Sequence, residues 1–181
     1  FHVGGTPFAN ERLVDQYTQL EARLRIGEKE WLLPNVNFLK TDPRLLSVRV
    51  PGALVTAQDL QPFPLTMDPH DFPAAVVIDT DEDFYGEASY TIFGQNERYV
   101  KMKKKIFSAL FGEFSPSEGD LVFSKTGELM GIMVNNDYAV LLQTMLISQT
   151  VPVGNDFDAG AAGSSLVAME QREDNKTSEL R

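Results

Sequence analysis

Ser115-Pro116-Ser117-Glu118-Gly119-Asp120-Leu121-Val122-Phe123-Ser124-Lys125-Thr126-Gly127-Glu128-Leu129-Met130-Gly131-Ile132-Met133-Val134 is the stretch whose reading decides the fold. At its middle, Lys125-Thr126-Gly127 is a turn, because glycine takes positive φ with no Cβ penalty. Apolar runs flank it, Leu121 to Phe123 before and Glu128 to Val134 after, and are expected to pair as a hairpin. Ser115 to Asp120 carries Ser, Pro, Gly and Asp and reads as a tight loop entering the first strand. Downstream, Asn135-Asn136-Asp137 marks a second turn and Tyr138 to Leu142 the next strand. Order is expected to continue from Met145 to Val151.

Upstream, Leu45 to Val50 predicts a strand ended by Pro51-Gly52, and Ala53 to Thr56 another short one. Pro62, Pro64, Pro69 and Pro73 predict an ordered surface loop. Ala74 to Ile78 and Ala88 to Phe93 read as strands, the second with Ala88, Tyr90 and Ile92 on one side. Arg98 to Phe111 predicts a helix, with a basic strand from Tyr99 to Lys103 as the alternative. Asn10 to Ile26 predicts another helix: Leu13, Tyr17, Leu20 and Leu24 form one apolar stripe, Asn10 caps it and Gly27 ends it. The expected class is mainly β with peripheral helices. The expected divisions are a helical packing segment over 1–41, a β-rich domain over 42–153, and a small-residue linker with a polar tail over 154–181.

The chain has 181 residues, 43% of them hydrophobic, enough for a sizeable core. It has no cysteine, which excludes disulfides, thiolate metal sites and a cysteine nucleophile. The net charge of -10, from 26 acids against 16 bases, opposes nucleic-acid binding, which needs a positive surface. The basic group Arg98, Lys101, Lys103, Lys104 and Lys105 reads as a solvated face. No apolar run is long enough for a membrane helix. Starting at Phe1, the chain is expected to be a piece of a longer protein, from cytoplasm or a bacterial envelope alike.

The hairpin resembles the late part of a trypsin-like, chymotrypsin-fold serine protease. In that family a Gly-Asp-Ser-Gly-Gly-Pro loop carries the nucleophile and precedes a short apolar strand, a turn, and a strand opening near Gly-Ile. Val122-Phe123, Lys125-Thr126-Gly127-Glu128-Leu129 and Gly131-Ile132 match the downstream half. The resemblance extends over about 42–142, with Asp42 to Val50 similar to the strand that follows the triad aspartate, and it implies a chymotrypsin-like β-barrel, partial or degenerate. Counting back from Val122, Asp120 and Gly119 stand where the family has two glycines, and Glu118 where it has the serine. The resemblance therefore implies a degenerate nucleophile loop, Glu118-Gly119-Asp120, whose Glu118 carboxylate would face the amides that hold an oxyanion in active relatives.

The leading expectation is a non-catalytic protease-like domain that binds a protein or peptide, or serves structure, without a cofactor. Its expected partner surfaces are the stripe Leu13, Tyr17, Leu20 and Leu24, and strand addition at an edge near Gly131 to Val134. The enzyme alternative is a divergent serine hydrolase using Ser117, or Ser115, with His70 and Asp42; His2, at the chain's start, is read as unanchored. A further alternative is an unrelated β-rich assembly domain, homo-oligomeric through the apolar stripe. Asp79, Asp81 and Asp83 begin like a calcium loop, but Phe84 replaces its glycine and Tyr90 its final glutamate, so a hydrated acidic turn is expected.

Overall fold

The computed structural model describes residues 1–9, 16–66, 68–79, 84–93, 98–103, 116–143 and 145–164. The chain forms two compact units, one of His2 and Pro62–Met145, the other of Phe1, Val3–Gln61 and the chain from Leu146. The strands are β1 (Ala22–Ile26), β2 (Lys29–Leu33), β3 (Asn35–Leu39), β4 (Leu46–Ser47), β5 (Ala75–Asp79), β6 (Phe84–Ile92), β7 (Tyr99–Lys103), β8 (Leu121–Ser124), β9 (Leu129–Met133), β10 (Tyr138–Leu141) and β11 (Ile147–Pro152). The class is mainly β.

The unit around Pro62–Met145 is a closed six-stranded antiparallel barrel in the order β10-β7-β6-β5-β8-β9, with β9 pairing back to β10. β5, β6 and β7 are consecutive neighbours, and β8 returns beside β5. That order, fourth strand next to first, is a Greek key. Alternation then fills the interior: Ala75, Val77, Ala88, Val100, Met102, Val122, Met130, Met133, Ala139 and Leu141 face inward. Small alanines against long methionines fit a narrow lumen, because the unbranched thioether adapts to irregular space. Of the two readings of Arg98 to Phe111, the strand holds over 99–103: Tyr99, Val100 and Met102 are buried while Lys101 and Lys103 are exposed. The positions beyond Lys103, with Phe107 and Phe111, lie outside the described residues.

The β8–β9 hairpin forms as its sequence indicates. Gly127 takes φ +92 and its N–H donates to Ser124 O at 3.2 Å. A polar knot closes the turn: Ser124 Oγ and Thr126 Oγ1 each donate to Glu128 Oε2 at 2.7 Å. Those bonds, from Thr126 first and then Ser124, hold the Glu128 carboxyl below the ordinary glutamate range. A lowered folded value means that the contribution is complete above the ordinary glutamate pKa, about 4.3. It is lost as pH falls through the lowered one. Glu128→Gln should therefore flatten the fall of unfolding free energy on that acid limb, as read by urea titration at several pH values. An unchanged limb would remove Glu128 from the cause.

The other unit holds the β1–β2 ribbon and the sheet β11-β3-β4. Its core is Phe8, Val36, Phe38, Leu46, Val151, Val153 and Ala162, with Phe8 edge-on to Phe38 at 5.5 Å. Several expectations are corrected here. The helix over 10–26 is absent from 22–26, which is β1, while 10–15 with Leu13 lies outside the described residues. Ala22, Leu24 and Ile26 alternate with Arg23 and Arg25, a period of two that the four-residue spacing had masked. Gly27, at φ +59, turns the chain into β2 instead of capping a helix, and Arg23 and Arg25 meet Glu30 across the ribbon. Ala53 to Thr56 belongs to a helix, α1 (Gly52–Ala57), because Pro51 at φ -58 opens a turn whose carbonyl accepts from Leu54 and Val55. The strand over 45–50 pairs only at Leu46–Ser47. Finally, β11 returns to pair with β3, so the end of the 42–153 segment joins the N-terminal strands. Residues 159–164 are helical. Among the described residues no helix is long and apolar enough to cross a membrane.

Candidate functional site

The bend before β8 is shaped by Asp120, which is buried. Its Oδ2 accepts the Ser117 N–H at 2.8 Å and its Oδ1 accepts the Ser117 hydroxyl at 3.1 Å. Asp120 N donates to Ser117 O at 3.3 Å, closing a turn in which Gly119 takes φ +95, a conformation side-chain-bearing residues avoid. Gly119 N donates to Met133 O at 2.9 Å and Met133 N to Asp120 O at 2.8 Å, which fastens the bend to the end of β9. Glu118 is left at the apex with its side chain 57% exposed.

Against this apex stands His2. Its side chain is only 8% exposed, and its Nδ1 lies 3.8 Å from Glu118 Oε1. A Cβ placed on Gly119 would stand 3.7 Å from His2 Cβ, so the base of the His2 side chain packs against the bend. This is the residue that sequence reading set aside. Lying one residue from the chain's first position, it had no periodic pattern around it to announce that it is held.

The remaining named residues are each engaged elsewhere. His70 sits in the turn Pro69–Asp71, its ring 65% exposed and its Nδ1 2.8 Å from Asp68 Oδ1. The backbone and then the ring of His70 hold the Asp68 carboxyl below its ordinary range. Tyr90 anchors that turn to β6, its hydroxyl reaching Phe72 O at 2.9 Å and Pro69 O as well, and burial raises its phenol. Asp42 is fully buried and forks onto Arg44, Oδ1 accepting from Nε at 3.0 Å and Oδ2 from Nη2 at 2.7 Å. The hydrogen bonds of Ser117, His70 and Asp42 thus lead to Asp120, Asp68 and Arg44. Ser115 lies outside the described residues.

Two expectations fail on geometry. Gly131 to Val134 is not an open edge: Gly131, Ile132 and Met133 pair with Leu141, Val140 and Ala139, and Val134 N donates to Tyr138 O. β8 covers the other side, and closure of the barrel removes the edge altogether. Nor do the amides of Ser117, Gly119 and Asp120 turn toward the Glu118 carboxylate, since they donate to Asp120 Oδ2, Met133 O and Ser117 O. Of the stripe, Leu20 and Leu24 line an apolar cavity and Tyr17 is exposed. Asp79 ends β5 paired with Phe84, while Asp81 and Asp83 lie outside the described residues; among the described residues no three metal-ligating side chains cluster.

Chemically, the bend offers a carboxylate beside a buried imidazole. At 3.8 Å the two are too far apart to share a hydrogen bond, and the apex has no hydroxyl to attack a carbonyl. No family model, curated protein or solved structure matches the chain.

Proposed function

We propose that the chain is a non-catalytic domain of the chymotrypsin-like protease type, acting as a protein-binding or structural module. The observation that carries this reading is Glu118 at the apex of the bend before β8, with His2 Nδ1 3.8 Å from its carboxylate. A histidine meets the position where an active relative presents a hydroxyl, and that position holds a carboxylate. The Greek-key order and closed six-stranded barrel agree with the family's fold.

A second loss supports it. In a serine-protease site the oxyanion is held by the amides of the nucleophile and of the residue two before it. With Glu118 as the former, the latter is Pro116, which has no N–H. Each such donor is worth roughly a hundredfold or more in turnover. The barrel keeps its shape because the amides that remain tie the bend to Asp120 and β9.

Incubation with a fluorophosphonate probe tests this reading. Intact mass should stay unchanged for the wild type and for Ser117→Ala alike. Stoichiometric labelling that disappears in Ser117→Ala would establish the hydrolase alternative.

A further inference from the structure

Pro62 and Pro64 have no N–H to donate, and the stretch that holds them forms no strand of its own. It pairs with the barrel all the same. β10 meets β9 at Gly131, Ile132 and Met133, with Leu142 N donating to Met130 O at 3.0 Å just beyond. Leu129 lies past that pairing, on the far side of the Met130 bulge. Its N–H donates to Pro64 O at 2.8 Å and its carbonyl accepts Thr66 N at 3.0 Å, a parallel bridge centred on Leu65. Phe63 meets the ring of Phe123 at 72°, centroids 4.9 Å apart. A strap over 62–66 thus covers the part of β9 that β10 does not reach, and strap and strand belong to the same compact unit.

The strap is held lightly. Pro62, Phe63 and Pro64 are exposed, Phe63 at 62%, and Leu65 is half-buried. Thr66 is buried, and its hydroxyl has no hydrogen-bond partner among the described residues. A buried hydroxyl left unpaired favours the opened strap, in which water satisfies it. Downstream the chain is fixed: Pro69 is buried and the Tyr90 hydroxyl donates to Phe72 O at 2.9 Å. Residues 62–66 can therefore lift while the following turn stays on β6.

We propose that 62–66 is an internal ligand, occupying in cis a peptide site made of the Leu129 backbone and the Phe123 ring, from which a partner segment displaces it. The strap states the partner's chemistry: an extended, uncharged segment with an aromatic residue and a leucine two positions on, running parallel to β9. The aromatic ring packs on Phe123 as Phe63 does, and main-chain bonds to Leu129 supply affinity. A tethered strap competes at an effective concentration of about millimolar, which shuts the site to weak ligands. This rests on the reading of a binding module, but its test uses no protease chemistry, so either can fail alone.

The test uses the full chain, with amide hydrogen exchange read by NMR. The Leu129 amide reports the strap, and the Leu142 amide, bonded to the same strand, reports the barrel. Leu129 should exchange at least about tenfold faster than Leu142, because the strap opens without the barrel. Thr66→Val, which removes the unpaired hydroxyl, should slow Leu129 by at least about fivefold. Phe63→Ser with Leu65→Ser disables the strap and should keep Leu142 protected. By fluorescence anisotropy that variant should bind a fluorescein-labelled peptide spanning Gln61 to Thr66 at least about tenfold more tightly than the wild type does. The same peptide with serine for Phe63 and Leu65 should bind neither. Leu65→Ala, milder, takes the double variant's place if Leu142 protection is lost there. Five results overturn the proposal: equal exchange at Leu129 and Leu142, no slowing in Thr66→Val, loss of the barrel in Leu65→Ala as well, peptide binding no tighter to the disabled chain than to the wild type, or equal binding by the serine peptide.

Discussion

Gly131→Ala is expected to lose about 3 kcal/mol of stability or to leave the barrel unformed. A Cβ at Gly131 would stand 2.4 Å from Val140 O and 3.2 Å from Val140 C, both backbone atoms of the neighbouring strand. Backbone cannot rotate aside as a side-chain end can. Relief requires β9 and β10 to separate, and these are the strands that close the barrel. The close approach has a local cause. Val122 pairs with Gly131 but Phe123 with Leu129, so Met130 is an extra residue in β9 and the strand bends there. Met130 is buried in the lumen, so the bulge both aims a core side chain and presses the next residue against β10. Gly127→Ala is the control. Its position has open space but φ +92, so it should cost only about 1 kcal/mol, from backbone strain. Chemical denaturation of the two variants measures the contrast, and equal losses would refute the steric account.

Asp42→Ala should lose about 3 kcal/mol, the lower end for breaking a buried ion pair. Asp42 holds Arg44 through both carboxylate oxygens and accepts the Arg44 amide at 2.9 Å, with its side chain 1% exposed against 13% for Arg44. Truncation removes both carboxylate contacts from a guanidinium that has little access to water. Asp42 O also accepts Leu45 N at 3.1 Å, so the turn leading into β4 loses its anchor. Asp42→Ala with Arg44→Met should recover much of the loss, since removing both charges removes the penalty. A double variant no better than the single one would mean that the carboxylate acts through the turn alone.

The barrel's second half was legible because each signal there is local. Gly127 flanked by apolar runs can be little else than a hairpin turn, whereas the bulge at Met130 was not read from the sequence. Closure was not legible, because it depends on β8 returning beside β5 and β10 meeting β7 across long intervening stretches of chain. Gly131 to Val134 was read as an edge, although the short turn at Asn135-Asn136-Asp137 pairs β9 with β10. The ribbon was misread because Leu13, Tyr17, Leu20 and Leu24 fit a helical period by count, while Arg23 and Arg25 set the true period of two. At the bend, the place of Glu118 came from counting along the hairpin. The arrival of His2 could not, since it spans more than a hundred positions of chain.

Two features of the bend bear on the proposed reading: Glu118 at the apex carries a carboxylate, and Pro116, two residues before it, has no N–H to donate. The direct measurement is intact mass after fluorophosphonate treatment of the wild type and Glu118→Ser, side by side. With Pro116 unable to donate and the amides of Ser117, Gly119 and Asp120 bonded elsewhere, neither protein should gain an adduct. A stoichiometric adduct at position 118 would show that the bend can assemble acyl-transfer machinery, and an adduct on Ser117 of the wild type would show that the native chain does.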